Sequence, residues 1–215
     1  CNMDTVAVRL PKSEYARQLI KRSGKFIAAP SANISGRPSP TAAAHVMEDF
    51  SGKIPVVLDG GASDVGVEST VVSVFDEKCV ILRPGGITRE MLLEVCETAE
   101  VSSAVLNGLK EGERAQSPGM KYKHYAPDAD LAIVEGDIDK VVDKINALTK
   151  EKEALGYRVG IMATQETKDR YESGVIKVVG SRKDEATVAH NLYAALREFD
   201  AVVVRSKTKV RANHI

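Results

Sequence analysis

Ala28-Ala29-Pro30-Ser31-Ala32-Asn33-Ile34-Ser35-Gly36-Arg37-Pro38-Ser39-Pro40-Thr41 joins an apolar run, residues 26–29, to the alanine-rich stretch 40–50. The run reads as a short strand. The stretch reads as a helix with Val46 and Phe50 on one face. Strand, stiff loop and helix form the unit from which α/β folds are built, and such folds bind ligands where loops leave the strand ends. Ser31 and Asn33 stand two residues apart, so in extended backbone both can reach one ligand. Ser39 precedes the helix expected near Pro40, where its hydroxyl and the free helical N–H groups could receive a phosphate. The same residue types also suit a plain turn and an N-cap, and both readings stand on composition.

Working outward, residues 6–10 read as a strand stopped by Pro11, and 13–23 as a helix with Tyr15, Leu19 and Ile20 on one face and Gly24 after its end. Val56-Val57-Leu58 reads as a buried strand closing on Gly60-Gly61. The β-branched run 68–74 and the run 79–83 predict a hairpin through 75–78. Thr88 is the expected N-cap of a helix over 88–95. From 97 to 128 the periodicity loosens, yet Lys121-Tyr122-Lys123-His124-Tyr125 is too rich in functional side chains for a plain linker. Strands are expected at 131–134, 158–163, 175–179 and 201–204, with helices at 138–155, 165–172 and 185–199. That alternation predicts a small parallel α/β domain. This second half carries neither a glycine-rich dinucleotide motif nor a phosphate-binding P-loop, so a packing or regulatory role is expected of it.

The chain has 215 residues, 43% of them apolar, enough for one large or two small domains. Thirty basic residues balance thirty acidic ones, which leaves no overall electrostatic footprint for nucleic acid or membrane. No apolar run is long enough to span a bilayer, and no signal peptide is visible. Cys1, Cys79 and Cys96 have no metal-ligand spacing, and their odd number argues against a disulfide framework. Cys79 and Cys96 are expected to be small core hydrophobes in a reducing, cytoplasmic setting. The strand pattern at 6–10 has no lead-in, so the chain is expected to be a fragment lacking its upstream part.

Further candidates have two readings each. Arg83, before Pro84-Gly85 at a strand end, suits a phosphate gripped by a planar guanidinium, or a surface ion pair. Ser69 and Thr70 offer two hydroxyls at a strand start, or simply sheet propensity. Arg9, inside a strand pattern, needs an anion such as a substrate carboxylate, or solvent at an edge. His124 could do acid–base work, and Tyr122 and Tyr125 could stack on a purine. No carboxylate pair, metal cluster or nucleophilic triad stands out, so no catalytic side chain and no metal ligand is named. His45, His190 and His214 read as ordinary residues.

Five ordered stretches carry a resemblance: 29–36, Ser39-Pro40-Thr41, Gly66-Val67-Glu68-Ser69-Thr70-Val71-Val72, Ile81-Leu82-Arg83-Pro84-Gly85, and 117–127. Together they resemble the threonylcarbamoyl-AMP synthase family in its long form. The resemblance implies an α/β chain in three parts. Residues 1–97 would be the C-terminal half of a YrdC-like twisted-sheet catalytic domain, 98–128 an active-site-covering linker, and 129–215 a Rossmann-like accessory domain. The family joins L-threonine, bicarbonate and ATP into threonylcarbamoyl-AMP and diphosphate, with Mg2+ neutralising the phosphates. Its product serves the tRNA threonylcarbamoyl transferase machinery.

By position, the resemblance makes Thr5, Ser31, Asn33, Ser39 and Arg83 nucleotide residues, and Arg9, Ala29 (through its backbone) and Ser69 threonine residues. His124 and Tyr125 would close over the nucleotide. The family's Lys-x-Arg signature and threonine-rich binding segment belong upstream of these motifs. The chain alone is therefore expected to have little or no activity, and its last residues lack the family's glycine-rich finish. The rival expectation is a non-catalytic nucleotide- or RNA-binding module. Weak tRNA binding would favour it, and neutral net charge weighs against it.

Overall fold

Val71–Phe75 (β1) and Lys78–Arg83 (β2) form the expected antiparallel hairpin, with Val74 opposite Cys79 and Phe75 opposite Lys78. They belong to a computed structural model that describes residues 5–108, 127 and 129–203. The chain divides into two units. One comprises Cys1–Ala32, Ala42–Ala62 and Glu68–His124; the other comprises Asn33–Thr41, Ser63–Val67 and Tyr125–Ile215.

In the first unit β2 is the central strand. Thr98–Val101 (β3) pairs with it in parallel, Cys79 facing Ala99 and Ile81 facing Val101. Cys79, Ile81 and Ala99 are buried and form the centre of this small core. The helices Glu14–Ser23 (α1), Ala43–Phe50 (α2) and Arg89–Leu92 (α3) also belong to this unit. α3 supplies the crossover from β2 to β3. Thr88 caps it, its Oγ1 accepting from the Met91 amide. Arg89 Nε ties it to β3 by donating to Ala99 O at 2.7 Å. Ser13 caps α1, and Gly24, at φ 62°, ends it in the left-handed conformation that glycine adopts without steric cost.

Several expectations need correction here. Residues 6–10, 26–29 and 56–58 form no strand. Their apolar side chains lie open, Val8 91% and Phe26 108% exposed. A strand exists only against a partner, and none of the described residues pairs with these segments. The loosely patterned region holds β3 and a further short helix, Ser103–Asn107 (α4); pairing with β2 overrides the weak local signal of Thr98–Val101. Cys79 and Cys96 are joined by a disulfide. The β2–β3 pairing places the start of β3, two residues after Cys96, beside Cys79, with the two Cα atoms 6.4 Å apart. An odd cysteine count could not reveal that proximity.

In the second unit Gly160–Thr164 (β4) and Val175–Gly180 (β5) pair in parallel, Ile161 facing Ile176 and Ala163 facing Val178. Ile138–Ala154 (α5) buries Val141, Val142 and Thr149. Asp137 caps it, its Oδ1 accepting from the amides of Asp139 and Lys140. Glu185–Val203 (α6) packs on both strands and buries Ala195, Leu196 and Phe199. The Phe199 ring stands 2.6 Å from where a Cβ on Gly160 would lie, so β4 and α6 meet at glycine.

The strand expected at 131–134 is absent, and the helix expected over 165–172 shrinks to a single 3-10 turn at Lys168–Arg170. Ala201, Val202 and Val203 continue α6 instead of starting a strand. No glycine or proline interrupts 185–203, so a helix already nucleated propagates through β-branched residues.

Candidate functional site

β2 delivers Arg83 to its last position, where the chain turns through Pro84-Gly85. The guanidinium donates to the backbone oxygen of Ser69 from both Nε, at 3.0 Å, and Nη2, at 2.8 Å. Nη2 also lies 3.8 Å from a Glu68 carboxylate oxygen. Thr70 closes the other side. Its hydroxyl donates to Ile87 O at 2.7 Å and accepts from Ile87 N–H at 3.0 Å. Between these clasps Gly85 lies so close that a Cβ there would overlap the backbone of Glu68, Ser69 and Thr70. Ser69 and Arg83, assigned to different substrates by position in the sequence, are thus one structural feature. The Ser69 residue remains exposed, while the Arg83 side chain is largely buried.

The second unit carries the other part of the signature. The Asn33 amide nitrogen donates to Ile34 O at 3.0 Å and to Arg37 O at 3.1 Å, closing a turn that Gly36 completes at φ 92°. Among the described residues no hydrogen-bond partner meets the buried Asn33 Oδ1. Pro38 and Ser39 are buried. The helix after them begins at Ala43, with no side-chain cap at Ala42, so Ser39 is not the N-cap expected of it. Thr41 is held outside the helix, its backbone oxygen accepting from Ser63 N–H at 2.8 Å.

Thr5, Arg9, Ala29 and Ser31 lie in the first unit, all exposed on segments without strand pairing. Arg9 therefore has no strand position to explain its charge. His124 and Tyr125 lie outside the described residues. No group of three or more His, Cys, Asp or Glu among the described residues could hold a metal ion. This donor set builds no cation cage of its own.

Two residues of α6 were missed. Arg197, 3% exposed, donates to Pro38 O from Nε at 3.0 Å and from Nη2 at 2.7 Å. His190 Nδ1 lies 2.8 Å from Asp64 O. A sequence signal existed for the first: Arg197 stands among Leu192, Ala195, Leu196 and Phe199, at a helical position where a cation is costly unless it is bonded. His190 carried no such signal.

A perturbed carboxylate lies elsewhere in the second unit. Glu166 is lowered to about 2, first by the Ser181 hydroxyl and then by backbone hydrogen bonds including one from the Arg182 amide, against the cost of desolvation.

Comparison with known proteins then decides the family. A family model described as "Threonylcarbamoyl-AMP synthase, C-terminal domain" matches residues 87–212. The chain belongs to the threonylcarbamoyl-AMP synthase family. A second model, described as "Telomere recombination", matches residues 1–85. Over 198 residues the chain is 46% identical to the threonylcarbamoyl-AMP synthase of Bacillus subtilis (strain 168), a match that covers 92% of this chain and 55% of that protein. Against the synthase of Pyrococcus abyssi (strain GE5 / Orsay) it is 44% identical over 198 residues, or 92% of this chain and 56% of the relative. The crystal structure of P. abyssi Sua5 complexed with L-threonine matches with a TM-score of 0.81 at 44% identity, over 93% of this chain and 56% of that one. The chain spans about half the length of the synthases it matches. The family's mixed α/β fold is the one expected from the sequence.

Proposed function

We propose that this chain is part of an L-threonylcarbamoyladenylate synthase, a nucleotidyltransferase. The observation that carries the reading is the fit to the threonine-complexed P. abyssi protein over 93% of the chain, with signature residues in both units. The reaction begins when the amine of L-threonine condenses with bicarbonate, an N–C bond forming as a C–O bond breaks and water leaves, to give a carbamate. A carbamate oxygen attacks the α-phosphorus of ATP, and diphosphate leaves. Positioning and charge stabilisation suffice for such a step.

In this reading Thr5, Ser31, Asn33, Ser39 and Arg83 serve the nucleotide, and Arg9, the Ala29 backbone and Ser69 serve threonine. His124 and Tyr125 close over the nucleotide and exclude water from a hydrolysable intermediate. The Arg83–Ser69 clasp supports a shared role, because a guanidinium held by a backbone oxygen is aimed before substrate arrives. Mg2+ would enter with the phosphates and would supply charge neutralisation; such an ion usually retains waters and takes one or two carboxylates, and among the described residues no group of three or more His, Cys, Asp or Glu could hold it. Residues 1–97 belong to the catalytic domain, 98–128 to the covering linker and 129–215 to the accessory domain. The product passes to a tRNA threonylcarbamoyl transferase in the cytoplasm. No described helix is long and apolar enough to cross a membrane.

The test is diphosphate release by the full-length gene product, dependent on both ATP and L-threonine, beside the same assay on residues 1–215 alone. Turnover by the full-length product and none by the 215 residues is expected. Stabilisation by tRNA without ATP, and no diphosphate release by either protein, would favour an RNA-binding module.

A further inference from the structure

The Pro38-Ser39-Pro40 segment is difficult to hold in place. Two of its three residues lack a backbone N–H, so no sheet ladder can fix it. Pro38 is nevertheless fully buried, and its carbonyl needs a donor. Arg197 supplies two, Nε at 3.0 Å and Nη2 at 2.7 Å, converging on the one oxygen. The contact joins positions 159 residues apart.

Arg197 does not act alone on α6. His190, seven residues earlier and so on the same helical face, meets Asp64 O. Gly66 packs on the same turn, where a Cβ would overlap His190 O. The segment 63–67 in turn engages the loop, Ser63 N–H donating to Thr41 O. α6 is itself anchored to β5, since the Asn191 amide donates to Val179 O at 3.0 Å. A chain of contacts therefore runs from the parallel sheet, through α6, to both loops.

We infer that Arg197 is a positioning residue for nucleotide binding, fixing residues 37–41, and Ser39 with them, from the accessory helix α6. The inference rests on the proposed function, which makes Ser39 a nucleotide residue. It gives the accessory helix a defined task in that site.

The experiment compares Arg197→Met, which keeps bulk and removes the donors, with Arg197→Lys and Phe199→Leu in the full-length gene product. Phe199→Leu loosens α6 against β4 and leaves Pro38 untouched, so it controls for stability. Steady-state kinetics for ATP and for threonine are measured with the melting temperature and with hydrogen exchange of the 36–41 amides. Arg197→Met is expected to raise KM for ATP about tenfold and leave KM for threonine within about twofold. Exchange at 36–41 quickens in the same variant. Arg197→Lys, with its charge but no fork, recovers part of the ATP affinity.

Phe199→Leu lowers the melting temperature and leaves both KM values and the loop amides unchanged. Equal losses for ATP and threonine, or the same kinetic change in Phe199→Leu, overturn the inference. So does unchanged loop exchange in Arg197→Met. Absence of ATP- and threonine-dependent turnover in the parent protein defeats the functional reading instead; the exchange data then still decide whether Arg197 holds the loop.

Discussion

Arg83, the last residue of β2, donates twice to the backbone oxygen of Ser69, at 3.0 and 2.8 Å. A guanidinium is suited to this because its N–H groups are fixed in a plane, whereas an ammonium directs single bonds from a flexible stem. The bond couples the residue proposed for ATP to the residue proposed for threonine.

Arg83→Lys should therefore weaken both substrates together. A loss of about 10- to 100-fold in kcat/KM is expected for each, on the scale of one or two charged hydrogen bonds. Steady-state kinetics with each substrate varied in turn checks this. A loss confined to ATP would show that the Ser69 contact is incidental.

Gly85→Ala probes the same clasp sterically. The new Cβ would lie 2.6 Å from the Ser69 carbonyl carbon and closer still to Glu68 O and Thr70 N. These are backbone atoms, so residues 68–70 must move. Overpacking of this kind costs about 1–3 kcal/mol. Urea unfolding should give a lower midpoint at an unchanged m-value, and threonine should bind more weakly.

Asn33→Asp is the sharpest change in the signature loop. Asn33 Nδ2 donates to Ile34 O and Arg37 O. The substitution places a carboxylate oxygen against two carbonyl oxygens. It should cost more than Asn33→Ala, by about 1 kcal/mol or more, because it adds repulsion to the lost bonds. Thermal unfolding of the two variants gives the order, and equal melting temperatures would count against the turn geometry.

Glu166 gives a pH dependence of definite sign. Its carboxyl lies at about 2 in the folded chain against an ordinary 4.5, so the folded state favours the ionised form. The Ser181 hydroxyl is the main cause. The resulting stability is present above about 4.5 and is lost as pH falls toward about 2. Glu166→Gln removes that contribution, so its melting temperature should fall less steeply than the parent's across this interval. Parallel melting curves would mean that the carboxylate is not held as described.

Local signals were legible wherever a segment carries its own determinants. The hairpin of β1 and β2 follows from β-branched runs around a four-residue turn. Helix α1 follows from its apolar spacing and Gly24, and α5 from the helical spacing of Val141, Val142, Ile145 and Leu148. Local composition misleads where a partner decides. Residues 6–10 and 26–29 have strand composition and, among the described residues, no strand beside them, and Thr98–Val101 lacks that composition and gains one. The disulfide of Cys79 with Cys96 has the same origin, since the β2–β3 register, not the number of cysteines, sets their distance.

By itself the sequence determined which residue types the proposed site draws on: the hydroxyls, amide and guanidinium of 31–39, the Ser69-Thr70 pair and Arg83. These are properties of short stretches, and family likeness lies in short stretches. Only the tertiary structure decided what holds them. Arg83 reaches across 14 residues to Ser69, and Arg197 across 159 to Pro38. A buried carbonyl takes whichever donor the fold brings within 3 Å, at any separation along the chain. That is why a loop recognisable from its own letters is held by an arginine from the far end of the chain.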